Sequence, residues 1–260
     1  MDLSGRRAIL AGGAGHIGLA VAETLIELGA NVAILDQDKS ACENRVAALS
    51  HLRKDSAVSI PCDLRDEDAQ RNAVKQAVDH MGGLDILVHC AAYVGTDKLK
   101  GWAVPFEEQT VEAWDLGMRV NLTSAFIMTQ EAQEALKASG HGSIIVFASI
   151  HGVVAPDFTM YEGTEIGSPA GYAASKGGLI QLMRYLSTAL APDVRVNAIT
   201  PGGVWRDQPE PFHLRYISRT PLRRMAVEED LKGAVAFLSS DMSNYVTGHN
   251  LVVDGGWLAW

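Results

Sequence analysis

Residues 7–18 read RAILAGGAGHIG: a short apolar run, a cluster of glycines and the first residues of an amphipathic stretch. Gly13, Gly15 and Gly18 satisfy GxGxxG, while Gly12, Gly15 and Gly18 satisfy GxxGxxG. Glycine lets a turn tighten and lets backbone approach a pyrophosphate, which then rests on the amide-rich, positive N-terminus of the next helix. In a chain with 25 glycines, such a trio alone is equally well explained by a turn needing positive φ. Its meaning comes from its place between the first predicted strand and the first predicted helix.

The same rhythm extends outward from this turn. Apolar runs at 31–35, 58–62, 84–90, 143–148, 194–199 and 250–253 join 7–11 as seven predicted buried strands. Helical periodicity lies between them, near 17–29, 39–53, 66–81, 110–138, 172–190 and 227–239. Apolar strands alternating with helices predict a parallel sheet covered on both faces. Right-handed crossovers make it doubly wound, in the order 3-2-1-4-5-6-7. The expectation is an α/β, Rossmann-like, seven-stranded parallel sheet, with one domain over 1–260. Segments 151–170 and 202–227 break the rhythm just after strand ends, where ligands bind in open sheets, and are read as substrate loops.

Composition narrows the function. With 22 Lys plus Arg against 31 Asp plus Glu, the net charge is −9 and nothing supplies the basic field that nucleic acid requires. No apolar run approaches a membrane span, and the opening MDLSGRRAIL is not a signal sequence, so a soluble, cytoplasmic protein is expected. Cys42, Cys62 and Cys90 are odd in number and widely spaced, and the histidines have no ligand spacing, so neither a disulfide framework nor a metal site is expected.

The second strand ends in Asp36. A carboxylate there accepts hydrogen bonds from both ribose hydroxyls of NAD and repels the 2′-phosphate of NADP, and no Lys or Arg at 35–38 reverses the sign. Asp63, after the third strand, is placed either to meet the adenine amine or to cap the following helix. At the other end, Tyr172 and Lys176 stand i, i+4 in GYAASKGG, on one helix face. A neighbouring cation favours phenolate and lowers a tyrosine pKa toward the range a general base needs. Ser149 ends the fifth strand, where its hydroxyl can hold a substrate oxygen. Asn121 lies inside a helical stretch, where its amide can interrupt the ladder and bind water. Each feature alone has an ordinary structural explanation; their order along one chain does not.

The chain resembles the short-chain dehydrogenase/reductase family over essentially its whole length. The resemblance rests on the glycine turn, Asp36, Asp63, Cys90-Ala91-Ala92, Asn121, Ser149, Tyr172-x-x-x-Lys176, Pro201-Gly202 and the closing VTGHNLVVDGGW. It implies Tyr172 as the proton-transfer residue and Ser149 as the anchor of the substrate oxygen. Lys176 would bind the nicotinamide ribose and lower the Tyr172 pKa, and Asn121 would support a relay water. Gly12, Gly15, His16, Ile17, Gly18, Leu64, Cys90, Ala91, Ala92, Pro201, Gly202 and Val204 are implied contacts of NAD, with Ile199 and Val204 touching the nicotinamide through backbone or side chain. A homotetramer or dimer is also implied, built on the 110–138 and 172–190 helices and the last strand.

Four places depart from the family pattern. Ala11 stands for its usual threonine, and His16 for a glycine. His89-Cys90-Ala91-Ala92 replaces Asn-Asn-Ala-Gly, which is expected to remove polar support behind the cofactor. The threonine usual after Pro-Gly falls near Arg206 and Asp207.

The substrate loops carry Phe158, Tyr161, Trp205 and Arg206, together with Arg215, Arg219, Arg223 and Arg224. Aromatic rings suit a sugar face, and guanidinium groups suit phosphate or carboxylate. Arg223 and Arg224 are instead expected to pair with Glu228 and Glu229. The phrases APDFTMYEG and PGGVWRDQPEPF resemble oxidoreductases of bacterial surface-sugar pathways, of the flagellin-modification and legionaminic-acid type. The expected activity is NAD-dependent interconversion of a secondary alcohol and ketone on a sugar, sugar phosphate or nucleotide sugar. The alternatives are a dehydrogenase of small polyols or hydroxy acids, and a catalytically weak NAD(H)-binding scaffold.

Overall fold

Ala8–Ala11 are sealed from solvent because their strand is paired on both edges and covered on both faces. In the computed structural model, which describes residues 1–260, that strand is β1 (Arg7–Ala11). It pairs in parallel with β2 (Asn31–Asp36) and with β4 (Ile86–His89). β3 (Ala57–Pro61) extends one side; β5 (Gly142–Phe147), β6 (Val194–Pro201) and β7 (Asn250–Val253) extend the other. The order β3-β2-β1-β4-β5-β6-β7, parallel throughout, is the one that strand-helix alternation predicts. The fold is a single-domain α/β, Rossmann-like sheet.

Successive strand residues point to opposite faces, so both faces need cover. Ile9 and Ala11 pack in the layer with α3 (Glu67–Met81), α5 (Ser124–Ser139) and α6 (Ala170–Ala189). Ala8 and Leu10 pack in the layer with α1 (His16–Glu27), α2 (Lys39–Leu49) and α8 (Glu229–Ser239). Each Leu or Ile buried this way contributes about 1.5–3 kcal/mol. The strand order reverses between β1 and β4, so a crevice opens at their C-terminal ends.

The structure differs from the periodicity reading in three places. The 110–138 stretch divides into α4 (Val111–Met118), a π-helical turn (Arg119–Thr123) and α5. Buried Asn121 sits at the centre of that turn: Oδ1 accepts from the Tyr93 N–H (2.7 Å), and Nδ2 donates to the Tyr93 carbonyl (3.0 Å) and Ser175 Oγ (3.1 Å). The supposed loop 202–227 contains a helix, α7 (Glu210–Arg219), with prolines at its start and Phe212 and Tyr216 buried at i, i+4. α3 is capped by Asp66, whose carboxylate accepts from the Ala69 N–H (3.1 Å), so Asp63 is not the cap. No helix is long and apolar enough to cross a membrane.

Candidate active site

Two of the turn glycines are required by the chain itself. Gly12 has φ +80°, and a Cβ there would come within 2.6 Å of the Ala91 nitrogen; a Cβ on Gly18 would strike the Gly12 carbonyl. Gly15 is different. Its φ of −70° suits any residue, and a Cβ would meet only the Gly12 carbonyl, at 3.3 Å. The space a side chain would take instead belongs to a cavity of about 230 Å³, lined also by Asp36, Asp63, Leu64, Ala91 and Ala92. α1 starts beside this space with neither a side-chain cap nor an acidic residue in its first turn, leaving its amides for an anion. This cradle fits the diphosphate of a dinucleotide.

Asp36 closes β2 at the far wall. Its carboxylate accepts from the N–H groups of Ala14 (3.2 Å) and Gln37 (2.8 Å), which ties the strand end to the glycine turn. Asp63 is gripped by Arg65 (2.6 Å at its shortest), and that cation holds the Asp63 carboxyl below the usual carboxylate range. Arg65, which also lines the cavity, carried no signal in the sequence beyond its nearness to Asp63.

The first cavity meets a second, of about 280 Å³, at Cys90 and Ala92. Ile17, Pro201, Gly202 and Val204 lie on its wall together with Ser149, Tyr172 and Lys176. The departures from the family pattern bring polar support of their own. The Cys90 thiol, its pKa pushed up to about 12 by burial, donates to the Ala11 carbonyl (3.1 Å) and steadies the turn. His89 is 1% exposed and its Nε2 contacts Ser124 Oγ at 2.6 Å. His16 stays exposed on the first turn of α1, 4.0 Å from Glu228.

Lys176 is 3% exposed, and its Nζ donates to the Phe147 carbonyl at 2.7 Å. Burial lowers its pKa to about 8. Nζ lies 5.7 Å from the centre of the Tyr172 ring. Contrary to the expected lowering, burial raises the Tyr172 pKa from the ordinary tyrosine value, and the neighbouring Ser149 hydroxyl only opposes that rise. Desolvation of the phenolate outweighs a cation at this distance. Asn121 lies within hydrogen-bonding distance of Ser175, not of the cavity, and both its amide hydrogens are committed. One carbonyl lone pair is left for a water.

The substrate residues divide. Tyr161 and Arg206 line the second cavity; Phe158 (66% exposed) and Trp205 (36%, packed on His213) do not. The arginines expected to read phosphate are committed within the chain. Arg206 pairs with Glu228 (2.7 Å), Arg215 donates to the Met160 and Glu162 carbonyls, and Arg219 pairs with Asp157. Arg224 pairs with Asp230 (2.5 Å) and Arg223 donates to the Ser218 carbonyl, so neither takes the expected Glu228 or Glu229. Together, Arg215 and Arg219 clip α7 onto the 157–162 segment. His151, also on the wall, was missed; its only sequence signal is that it follows Ser149 by two residues on the same strand-end turn.

A protein-family model described as Enoyl-(Acyl carrier protein) reductase matches residues 12–258. Sorbose reductase sou1 of Schizosaccharomyces pombe is 30% identical over 98% of this chain and 97% of its own length. The probable galactose dehydrogenase GalD of Rhizobium meliloti is 34% identical over 98% and 96%. Among solved structures, an NAD+-bound xylitol dehydrogenase superposes with TM-score 0.87 at 28% identity, covering 98% of this chain and all of that one. A short-chain type dehydrogenase/reductase from Mycobacterium marinum gives 0.85 at 29%, covering 98% and 96%.

Proposed function

The chain belongs to the short-chain dehydrogenase/reductase family, whose members here are named dehydrogenases and reductases acting on CH–OH groups, and from this we propose that it interconverts a secondary alcohol and a ketone on an uncharged sugar or polyol, with NAD as cofactor. The observation that carries the reading is the convergence of Ser149, Tyr172 and Lys176 on a cavity that continues into the Gly15–Asp36 cradle. That convergence also speaks against a catalytically weak scaffold. The commitment of the loop arginines to internal partners favours an uncharged substrate over a sugar phosphate, nucleotide sugar or hydroxy acid. The likeness of the loops to surface-sugar oxidoreductases is kept only as far as the carbohydrate class.

Gly15 and the first turn of α1 would receive the cofactor diphosphate, and Asp36 the adenosine ribose. When bound, the nicotinamide supplies or receives the hydride. The rest falls to the chain. Ser149 Oγ accepts from the His151 N–H (3.2 Å) and its own hydrogen, beside the Tyr172 hydroxyl, can turn to the substrate oxygen. Tyr172 gives its phenolic proton to that oxygen in reduction and takes it back in oxidation. The Lys176 charge favours the phenolate as it forms. These donors are fixed before substrate arrives, so little reorganisation is needed as charge develops on oxygen. Val111, Trp114, Phe126 and Tyr185 leave apolar surface exposed on α4, α5 and α6, which supports self-association as a tetramer or dimer.

The NAD reading is tested at Asp36. Wild-type protein is expected to bind NADH in preference to NADPH, and Asp36→Ala to erase that preference. Loss of charge-assisted bonds of about 1.5–3 kcal/mol corresponds to roughly 10–100-fold weaker NADH binding. Nicotinamide fluorescence titration measures both; NADPH preference in the wild type refutes the reading.

A further inference from the structure

We infer that His151 is a specificity-determining residue that binds a second substrate hydroxyl, on the carbon next to the reacting carbinol, so that the site selects uncharged vicinal diols. The inference rests on the oxidoreductase reading above and narrows its substrate class.

His151 touches both groups that handle the reacting oxygen. Its backbone N–H donates to Ser149 Oγ, and its ring stands edge-on to Tyr172, with centroids 6.3 Å apart at 86°. One small substrate can therefore meet Ser149, Tyr172 and the imidazole together. The ring is bonded on one side only: Nδ1 and Ser168 Oγ are 3.2 Å apart, and Ser168 stands beside the Tyr161 hydroxyl. Nε2 has no protein partner and, unlike the sealed Nδ1 of His89, keeps some accessible surface, on a residue that lines the cavity.

The chemistry of that nitrogen selects its ligand. Burial lowers the His151 pKa to about 4, so the ring is neutral at neutral pH. A hydroxyl can donate to or accept from Nε2 whichever way the Tyr161–Ser168–His151 chain is protonated, whereas a carboxylate can only accept. No free cation compensates. The charged side chains on the wall are Asp157, Arg206 and Lys176, held respectively by Arg219, by Glu228 and by the Phe147 carbonyl. An anionic substrate would enter without a partner, at a cost that a diol does not meet. Oxidation then proceeds at one carbinol. Its hydroxyl proton would pass to the Tyr172 phenolate and its hydride to the oxidised nicotinamide, when bound, forming C=O, while the second hydroxyl stays on Nε2.

The test compares 1,2-cyclohexanediol, cyclohexanol and 3-hydroxybutyrate as substrates of wild type, His151→Leu and His151→Gln, with NAD and with NADP. Wild type is expected to prefer the diol to cyclohexanol by about a hundredfold or more in kcat/KM, because a site built for a hydroxyl discriminates strongly against its absence. His151→Leu should collapse that ratio to within about threefold, with His151→Gln restoring part of it through its amide. NADH binding by each variant certifies the fold. An unchanged ratio in His151→Leu, no diol preference in the wild type, or preference for 3-hydroxybutyrate overturns the inference. If NADH binds and none of the three alcohols is oxidised with either cofactor, the oxidoreductase reading on polyols has failed and this inference falls with it.

Discussion

Tyr172→Phe is expected to lower turnover by about 10²–10⁴-fold, the usual worth of a positioned general acid or base, with NADH affinity left within about twofold. The substitution removes one oxygen and leaves the packed ring, so the cavity wall and the edge-on contact with His151 survive. Serine and lysine remain, but neither can replace the lost proton donor: Ser149 is a far weaker acid, and Lys176 Nζ is tied to the Phe147 carbonyl. Because burial raises the Tyr172 pKa rather than lowering it, the protonated phenol that ketone reduction needs is the favoured form. Alcohol oxidation needs the phenolate, so its kcat/KM should climb as pH rises above 7 while reduction does not. Arg223→Ala serves as the control, since that side chain only bonds the Ser218 carbonyl at the surface and turnover should persist. Single-turnover hydride transfer within tenfold of wild type in Tyr172→Phe would remove the phenol from the mechanism.

The second large effect is on stability in acid. His89 is sealed, and burial lowers its pKa from 6.5 to about 3, with the nearby Lys176 charge acting in the same direction. The hydroxyl of Ser124 donates to the Val120 carbonyl, so Nε2 of His89 must carry the proton donated to Ser124, leaving Nδ1 without a partner. In the unfolded chain this histidine protonates near 6.5; in the fold it stays neutral. Unfolding therefore takes up a proton between these values, and stability falls as pH drops from 6.5 toward 3. Each pH unit well below 6.5 costs about 1.4 kcal/mol, so about 2 kcal/mol is lost between pH 6.5 and 4.5 through this residue. His151, lowered to about 4, adds a second loss in the same direction. Urea unfolding at stepped pH should show the slope, and His89→Gln should flatten it by close to one proton. An identical slope in His89→Gln would mean that His89 charges freely in the folded protein.

Both predictions concern residues whose neighbours decide their behaviour, and this is where sequence reading reached its limit. Tyr172 and Lys176 were visible as a pair because four residues on a helix is a local distance. The direction of the Tyr172 pKa was not, because burial depends on β5 and the 151–170 segment packing against α6. The loop arginines looked like anion ligands when counted along the chain. Arg219 instead meets Asp157, 62 positions away, and Arg206 meets Glu228. α7 is not legible because its apolar stripe is short and prolines mark its start, while its burial comes from Met160, Met225 and Trp257 rather than from the sheet.

The sequence by itself determined the strand order, the position of the glycine turn and the residues at the strand ends. Those follow from local periodicity, chain handedness and the rule that a parallel sheet must bury both faces. Tertiary structure alone decided which polar groups remain free to act. It committed the arginines to internal partners, turned Asn121 onto Tyr93, and placed the His151 ring beside Tyr172. Hydrogen bonding and desolvation depend on atoms brought together from distant parts of the chain, and spacing along the sequence does not encode that proximity.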